Sequence, residues 1–156
     1  MDMPITINKI KMVVNVDPKE TLLDLLRRLG YFGVKRGCSE GNCGACTVLF
    51  NGEPRKSCIM LAVQAKDADI VTIEGFSEPE NPHPIQKAFV EEAGIQCGYC
   101  IPGMILATDS LLRRNPDPSD EEIKDALDGN LCRCTGYVKQ IKSVKKAARY
   151  LKEGKQ

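Results

Sequence analysis

The sequence predicts two units, a small α+β half followed by an all-helical half. Three observations lead there. The first third is rich in Ile, Val and Thr and carries one Leu-rich helical segment. A proline-rich break, SEPENPHP, covers residues 77–84. Helical periodicity runs from there to the end. The expected boundaries are 1–76 for the α+β unit, 77–84 for a linker and 85–156 for a four-helix unit.

Residues 5–16 alternate loosely and read as a β-hairpin, although its turn at Asn8-Lys9 lacks the usual Asn-Gly pair. Asp17-Pro18-Lys19-Glu20 reads as a capping box with proline at the first helical position. The helix it opens runs through 21–29, stops at Gly30 and presents Leu22, Leu25, Leu26 and Leu29 on one face. Residues 47–50, the turn Asn51-Gly52 and residues 53–59 predict strand, tight turn and strand, with a further strand at 70–73. Beyond the linker, helices are expected at 85–93 and 104–114. The second of these is ended by Asn115-Pro116-Asp117-Pro118. Ser119 with Glu122 forms a capping box for a third helix that closes at Gly129. The fourth spans 138–151, with Val138, Ile141, Val144, Ala148 and Leu151 at helical spacing and lysines opposite. That basic face reads as a solvated surface rather than a docking surface.

The 156 residues carry a net charge of +1, which argues against a general nucleic-acid or membrane surface. The charge is uneven: from Val138 onward Lys139, Lys142, Lys145, Lys146, Arg149, Lys152 and Lys155 face only Glu153. The N-terminus has no basic, apolar leader pattern, and no apolar run approaches a membrane span. A cytoplasmic, reducing location is expected, where eight cysteines serve as ligands or catalysts rather than disulfides.

The cysteines divide evenly. Cys38, Cys43, Cys46 and Cys58 are spaced C-x4-C-x2-C-x11-C, and Cys97, Cys100, Cys132 and Cys134 are spaced C-x2-C-x31-C-x1-C. Four thiolates per unit suit one tetrahedral zinc or one iron–sulfur cluster. The first spacing favours the cluster: plant-type ferredoxins hold [2Fe–2S] with C-x4-C-x2-C and a distant fourth cysteine, whereas zinc modules favour two separated C-x2-C knuckles. Gly37, Gly41 and Gly44 let that loop wrap closely and aim backbone N–H groups at sulfur. The second set fits neither a ferredoxin loop nor a common zinc module. Its two loops precede helices, whose N-termini favour an anionic group.

Three runs, G37-C-S-E-G-N-C-G-A-C46, Q96-C-G-Y-C-I-P-G-M104 and G129-N-L-C-R-C-T-G-Y137, resemble in this order the iron–sulfur subunit of the molybdenum hydroxylases, the xanthine dehydrogenase family. The resemblance covers nearly the whole chain. It implies a β-grasp, ferredoxin-like domain joined to an all-α four-helix domain, each with a [2Fe–2S] cluster. It implies that Cys97, Cys100, Cys132 and Cys134 bind the cluster near molybdenum, and that Cys38, Cys43, Cys46 and Cys58 bind the one facing a flavin. Gln96 matches a glutamine that hydrogen-bonds the pterin, and Cys134 the ligand nearest the pterin edge. Molybdopterin, in its cytosine dinucleotide form, and FAD would lie on a large and a medium partner subunit, in a dimer of heterotrimers. The subunit would relay single electrons between them. One departure is Ile101, where the family commonly has Thr or Ser; it removes a hydroxyl beside the cluster.

No acid–base pair, Walker loop, Rossmann fingerprint or Ser-His-Asp set is present, so no catalytic residue is assigned to this chain. His83, the single histidine, reads as a linker surface residue. Rival readings are a free-standing ferredoxin-type carrier and a zinc-stabilised interaction module. The substrate of such a complex, whether purine, N-heterocycle, aldehyde, carbon monoxide or 4-hydroxybenzoyl-CoA, is set on another chain. The C-terminal run resembles in particular subunits of 4-hydroxybenzoyl-CoA reductase.

Overall fold

The computed structural model describes residues 1–78 and 80–154; Pro79 of the expected linker and Lys155 of the basic run lie outside them. The first half builds a mixed five-stranded sheet from β1 (Asp2–Ile7), β2 (Ile10–Asn15), β3 (Thr47–Phe50), β4 (Glu53–Lys56) and β5 (Asp69–Val71), in the order β2-β1-β5-β3-β4. The β1–β5 pair is parallel and the others antiparallel. Alternation in β1 sends Met3, Ile5 and Ile7 inward, against α1 (Leu22–Arg28). Leu22, Leu23, Leu25 and Leu26 of α1 are buried, so Leu23 joins the expected face while Leu29, at the C-cap, is only partly covered.

Several boundaries differ from expectation for local reasons. The N-cap of α1 is Thr21, whose hydroxyl accepts from the Asp24 N–H at 3.1 Å. Asp17 instead closes a turn, its carboxylate accepting from the Lys19 N–H at 2.8 Å. β4 ends at Lys56, where Ser57–Ile59 tightens into a 3-10 turn, and Ala62–Ala65 forms another that periodicity does not reveal. The hairpin turn puts both Asn8 and Lys9 at positive φ without glycine. Asn8 offsets this by reaching across to Thr72, donating to its hydroxyl at 3.0 Å and accepting from its N–H at 2.8 Å.

The second half consists of α2 (Pro84–Glu91), α3 (Ile101–Arg114), α4 (Asp120–Leu127) and α5 (Val138–Lys152). Helix α3 begins directly after Cys100, with Pro102-Gly103 inside its first turn rather than before it. The Ser119–Glu122 capping box of α4 forms as expected. The buried stripe of α5 is Gln140, Ser143, Val144, Ala147 and Ala148, while Val138 is 62% exposed and Leu151 42%. The helix is therefore rotated from the expected face, and two polar residues enter the core. The basic face is also less open than expected. Lys146 bonds Glu91 and Glu92 at 3.0 Å each, Lys152 bonds Asp117 at 2.9 Å and Lys145 pairs with Asp120. Among the described residues no helix is long and apolar enough to cross a membrane.

His83 is not a free linker residue. It caps α2, its Nδ1 accepting from the Ile85 N–H at 3.3 Å, and its ring lies 4.4 Å from that of Phe76. Burial holds its pKa below the ordinary value; the Asp109 carboxylate opposes this in part and Arg113 adds to it. The neutral ring is the capping form, so its contribution is complete above the unfolded histidine value of about 6.5 and is lost as pH falls through the lower folded value. His83→Asn keeps an acceptor and does not titrate. Between pH 7.5 and 5, wild type should lose more thermal stability than this variant in parallel melts.

The two halves meet closely where Gly103 of α3 lies over the Gly44 carbonyl, with the Asn130 and Thr47 side chains flanking the contact. A Cβ at Gly103 would stand 2.5 Å from that oxygen and 2.7 Å from Asn130 Oδ1. In an open helix Gly→Ala would stabilise by about 1 kcal/mol, but overpacking against backbone costs about 1–3 kcal/mol. Gly103→Ala should therefore cost up to about 2 kcal/mol net and lower Tm by up to roughly 8 °C. An unchanged or raised Tm would show that this contact yields easily.

Candidate metal centres

The first site is the loop between α1 and β3, closed by the turn after β4. Cys38 Sγ accepts from the backbone N–H groups of Glu40, Asn42 and Cys43, each at 3.4 Å, and Cys43 Sγ accepts from the Cys38 N–H at 3.4 Å. Gly37 makes the wrap possible, since a Cβ there would stand 2.5 Å from Cys43 Sγ. These N–H groups, chiefly those of Cys43 and Glu40, hold the Cys38 thiol down at about 6. Cys46, on the buried end of the loop, contacts Cys58, and burial pushes its thiol up to about 11.

The second site joins the α3 start to the loop between α4 and α5. Cys97 Sγ and Cys134 Sγ lie 3.7 Å apart, both on exposed residues, and Gln96 Nε2 donates to the Cys134 carbonyl at 3.1 Å. Behind them Cys100 contacts Cys132, and burial pushes Cys100 up to about 12. Burial also acts on Cys132, but hydrogen bonding from Thr135 and the nearby Gln140 amide outweighs it, leaving the thiol at about 6. The Cys132 N–H donates to the Tyr137 hydroxyl at 2.7 Å. Cys100 is the N-cap of α3, so the helix end faces this site. Ile101 is buried in the first turn of α3.

The sites communicate directly. The Tyr99 hydroxyl, between Cys97 and Cys100, donates to the Arg36 carbonyl at 2.5 Å, and the Leu131 N–H donates to the Cys43 carbonyl at 2.9 Å. Thr47 donates its hydroxyl to the Gly44 carbonyl at 2.7 Å and reaches Asn130 Oδ1 at 3.3 Å. Tyr99, Thr135, Tyr137 and Gln140 were not assigned from sequence; only their nearness to cysteines could have drawn attention to them.

The donor set suits binuclear iron. Soft thiolates are the ligands of such clusters, and here the sulfurs gather in close pairs with backbone donors aimed at them.

Two family models match consecutive stretches: a 2Fe-2S iron-sulfur cluster binding domain over residues 5–70 and a [2Fe-2S] binding domain over residues 72–145. The nicotinate dehydrogenase small FeS subunit of Eubacterium barkeri is 57% identical over 124 residues, covering 79% of each chain. The aldehyde oxidoreductase of Megalodesulfovibrio gigas is 45% identical over 92% of this chain, which spans only 16% of that longer protein. In the crystal structure of quinoline 2-oxidoreductase from Pseudomonas putida 86, one chain superposes with a TM-score of 0.94 at 40% identity, covering 100% of this chain and 98% of that one. The chain belongs to the small iron–sulfur subunits of the molybdenum hydroxylases. It is an oxidoreductase subunit with two [2Fe–2S] domains, and it transfers electrons within such a complex.

In the metal-free chain under non-denaturing conditions at pH 7, Cys38 and Cys132 should be alkylated by iodoacetamide before Cys46 and Cys100, because their lowered pKa values leave them as thiolates. Timed labelling with peptide mass spectrometry reads the order.

Proposed function

We propose that Cys38, Cys43, Cys46 and Cys58 hold one [2Fe–2S] cluster and that Cys97, Cys100, Cys132 and Cys134 hold the other. The observation that carries this is the meeting of Cys97 with Cys134 at 3.7 Å, which joins the loop between α2 and α3 to the loop between α4 and α5. When bound, each cluster accepts and releases one electron at a time. The chain's own residues fix the distance between the two sites, keep water from Cys46, Cys58 and Cys100, and aim donors at sulfur.

The exposed edge of Cys97, Cys134 and Gln96 is the side we assign to the molybdenum-bearing partner, with Gln96 and Cys134 meeting the pterin. The loop at Cys38 and Cys43 is the side we assign to the flavin. Gln96 already holds the Cys134 backbone, so it orients that ligand as well as presenting an amide edge. We read the first half as a β-grasp domain and the boundaries as 1–76 and 85–156, with partners as a large molybdopterin subunit (cytosine dinucleotide form) and a medium FAD subunit in a dimer of heterotrimers. The relatives act on nicotinate and quinoline as named, which supports an N-heterocycle as the substrate class. We place the complex in the cytoplasm because the spacing of the eight cysteines suits thiolate ligands rather than disulfides.

Purified with its partners, the chain should carry four irons and four sulfides with two distinct reduced paramagnetic signals. Cys134→Ser should remove or alter one signal and block reduction by substrate, leaving the other cluster reducible by dithionite. One zinc with no sulfide, or both signals unaltered in the variant, would overturn the ligand division.

A further inference from the structure

Tyr137 is the one aromatic among the described residues with positive φ, at φ 68° and ψ −19°. That left-handed backbone suits glycine or asparagine. A bulky residue persists there only where its surroundings fix it, and such places cluster at functional sites. Gly136 before it is left-handed as well, at φ 66°. The two residues turn the chain sharply between Thr135 and the start of α5. Tyr137 occupies the N-cap position of α5 but makes no side-chain cap. The turn alone therefore does not account for a tyrosine.

The conformation sends the ring back beneath its own loop, half-buried against the core of the helical half. There its hydroxyl accepts from the Cys132 N–H at 2.7 Å and donates to the Asn130 carbonyl at 3.4 Å. A backbone amide can only donate and a carbonyl only accept, so both directions are set by the groups themselves. Tyr137 is in turn held by α5, where the Ile141 N–H donates to its carbonyl at 3.0 Å. The 132–137 bond closes a short ring of chain that contains Cys134. Cys134 is gripped by its own backbone from the other side, through Gln96 at 3.1 Å. With one residue between the two cysteines, a backbone shift at Cys132 moves both sulfurs.

We propose that Tyr137 is a positioning residue for the cluster of the helical half. Its hydroxyl closes the Cys132–Cys134 loop and keeps both sulfurs in place, and this bond offsets the left-handed backbone. The inference rests on the reading of Cys132 and Cys134 as ligands. The anchored atom is the Cys132 backbone N–H, which does not titrate. Removing the hydroxyl strands that donor in a partly buried site, where an unmade hydrogen bond is costly.

The test uses the complex with its partner subunits. Tyr137→Phe keeps the ring and removes only the hydroxyl. It should shift or broaden one reduced paramagnetic signal and leave the other unaltered. It should also speed the loss of that cluster's iron to a chelator about tenfold, as a stranded donor predicts. Deuterium exchange at the Cys132 amide, read by fragment mass spectrometry, should be slow in wild type and about tenfold faster in the variant. Two unaltered signals with unaltered chelation, or equal acceleration at both clusters, would overturn the proposal. Should the variant fail to assemble, exchange at Cys132 in wild type decides alone: protection supports the proposal and rapid exchange overturns it. Cys132→Ala tests the ligand reading separately. Loss of one signal with the other intact supports that reading whatever Tyr137→Phe does, and two intact signals defeat it and the proposal with it.

Discussion

Backbone meets backbone where the first cysteine loop lies against the second half, and much of the molecule is arranged around that contact. The Gly44 carbonyl touches the first turn of α3 at Gly103, the Cys43 carbonyl takes the Leu131 N–H, and a side chain at Gly44 would collide with the Gly129 carbonyl. The two thiolate-bearing loops can approach this closely only because Gly44 and Gly103 carry no side chain. Close-packed interiors transmit displacement rather than absorb it, so the separation of the two sites is inherited from this seam. The Tyr99–Arg36 bond reinforces it from the solvent side.

Each site combines a dry end and a wet end. Cys46, Cys58 and Cys100 are buried, whereas Cys97 and Cys134 stand at the surface and Cys38 and Cys43 lie between. The dry end anchors a cluster away from water; the wet end is where a partner must approach for charge to pass. The backbone donors around Cys38 and the hydroxyl beside Cys132 supply different surroundings for the two clusters. Environments that differ in this way are a means of separating potentials without changing ligands.

The first quartet was read from its C-x4-C-x2-C spacing, because ligand number and interval are themselves the chemistry, whereas the second was read from its resemblance to a known family. The α+β and helical halves were legible because periodicity of two or of 3.6 reports burial directly. What escaped were features decided by tertiary contact. Gln140 and Ser143 are polar, so a stripe drawn through Val138 and Ile141 looked more apolar than the one actually buried. Thr21 outcompeted Asp17 as a cap because the intervening segment turns on itself. His83 looked exposed between two prolines, yet Phe76 folds back over it.

The hook from Asn8 to Thr72 joins the first turn of the chain to the residue that follows β5, just before the path leaves for the helices. Asn8 thus does more in its left-handed turn than a glycine could: its side chain also fastens that turn to the chain at the point where it leaves the sheet.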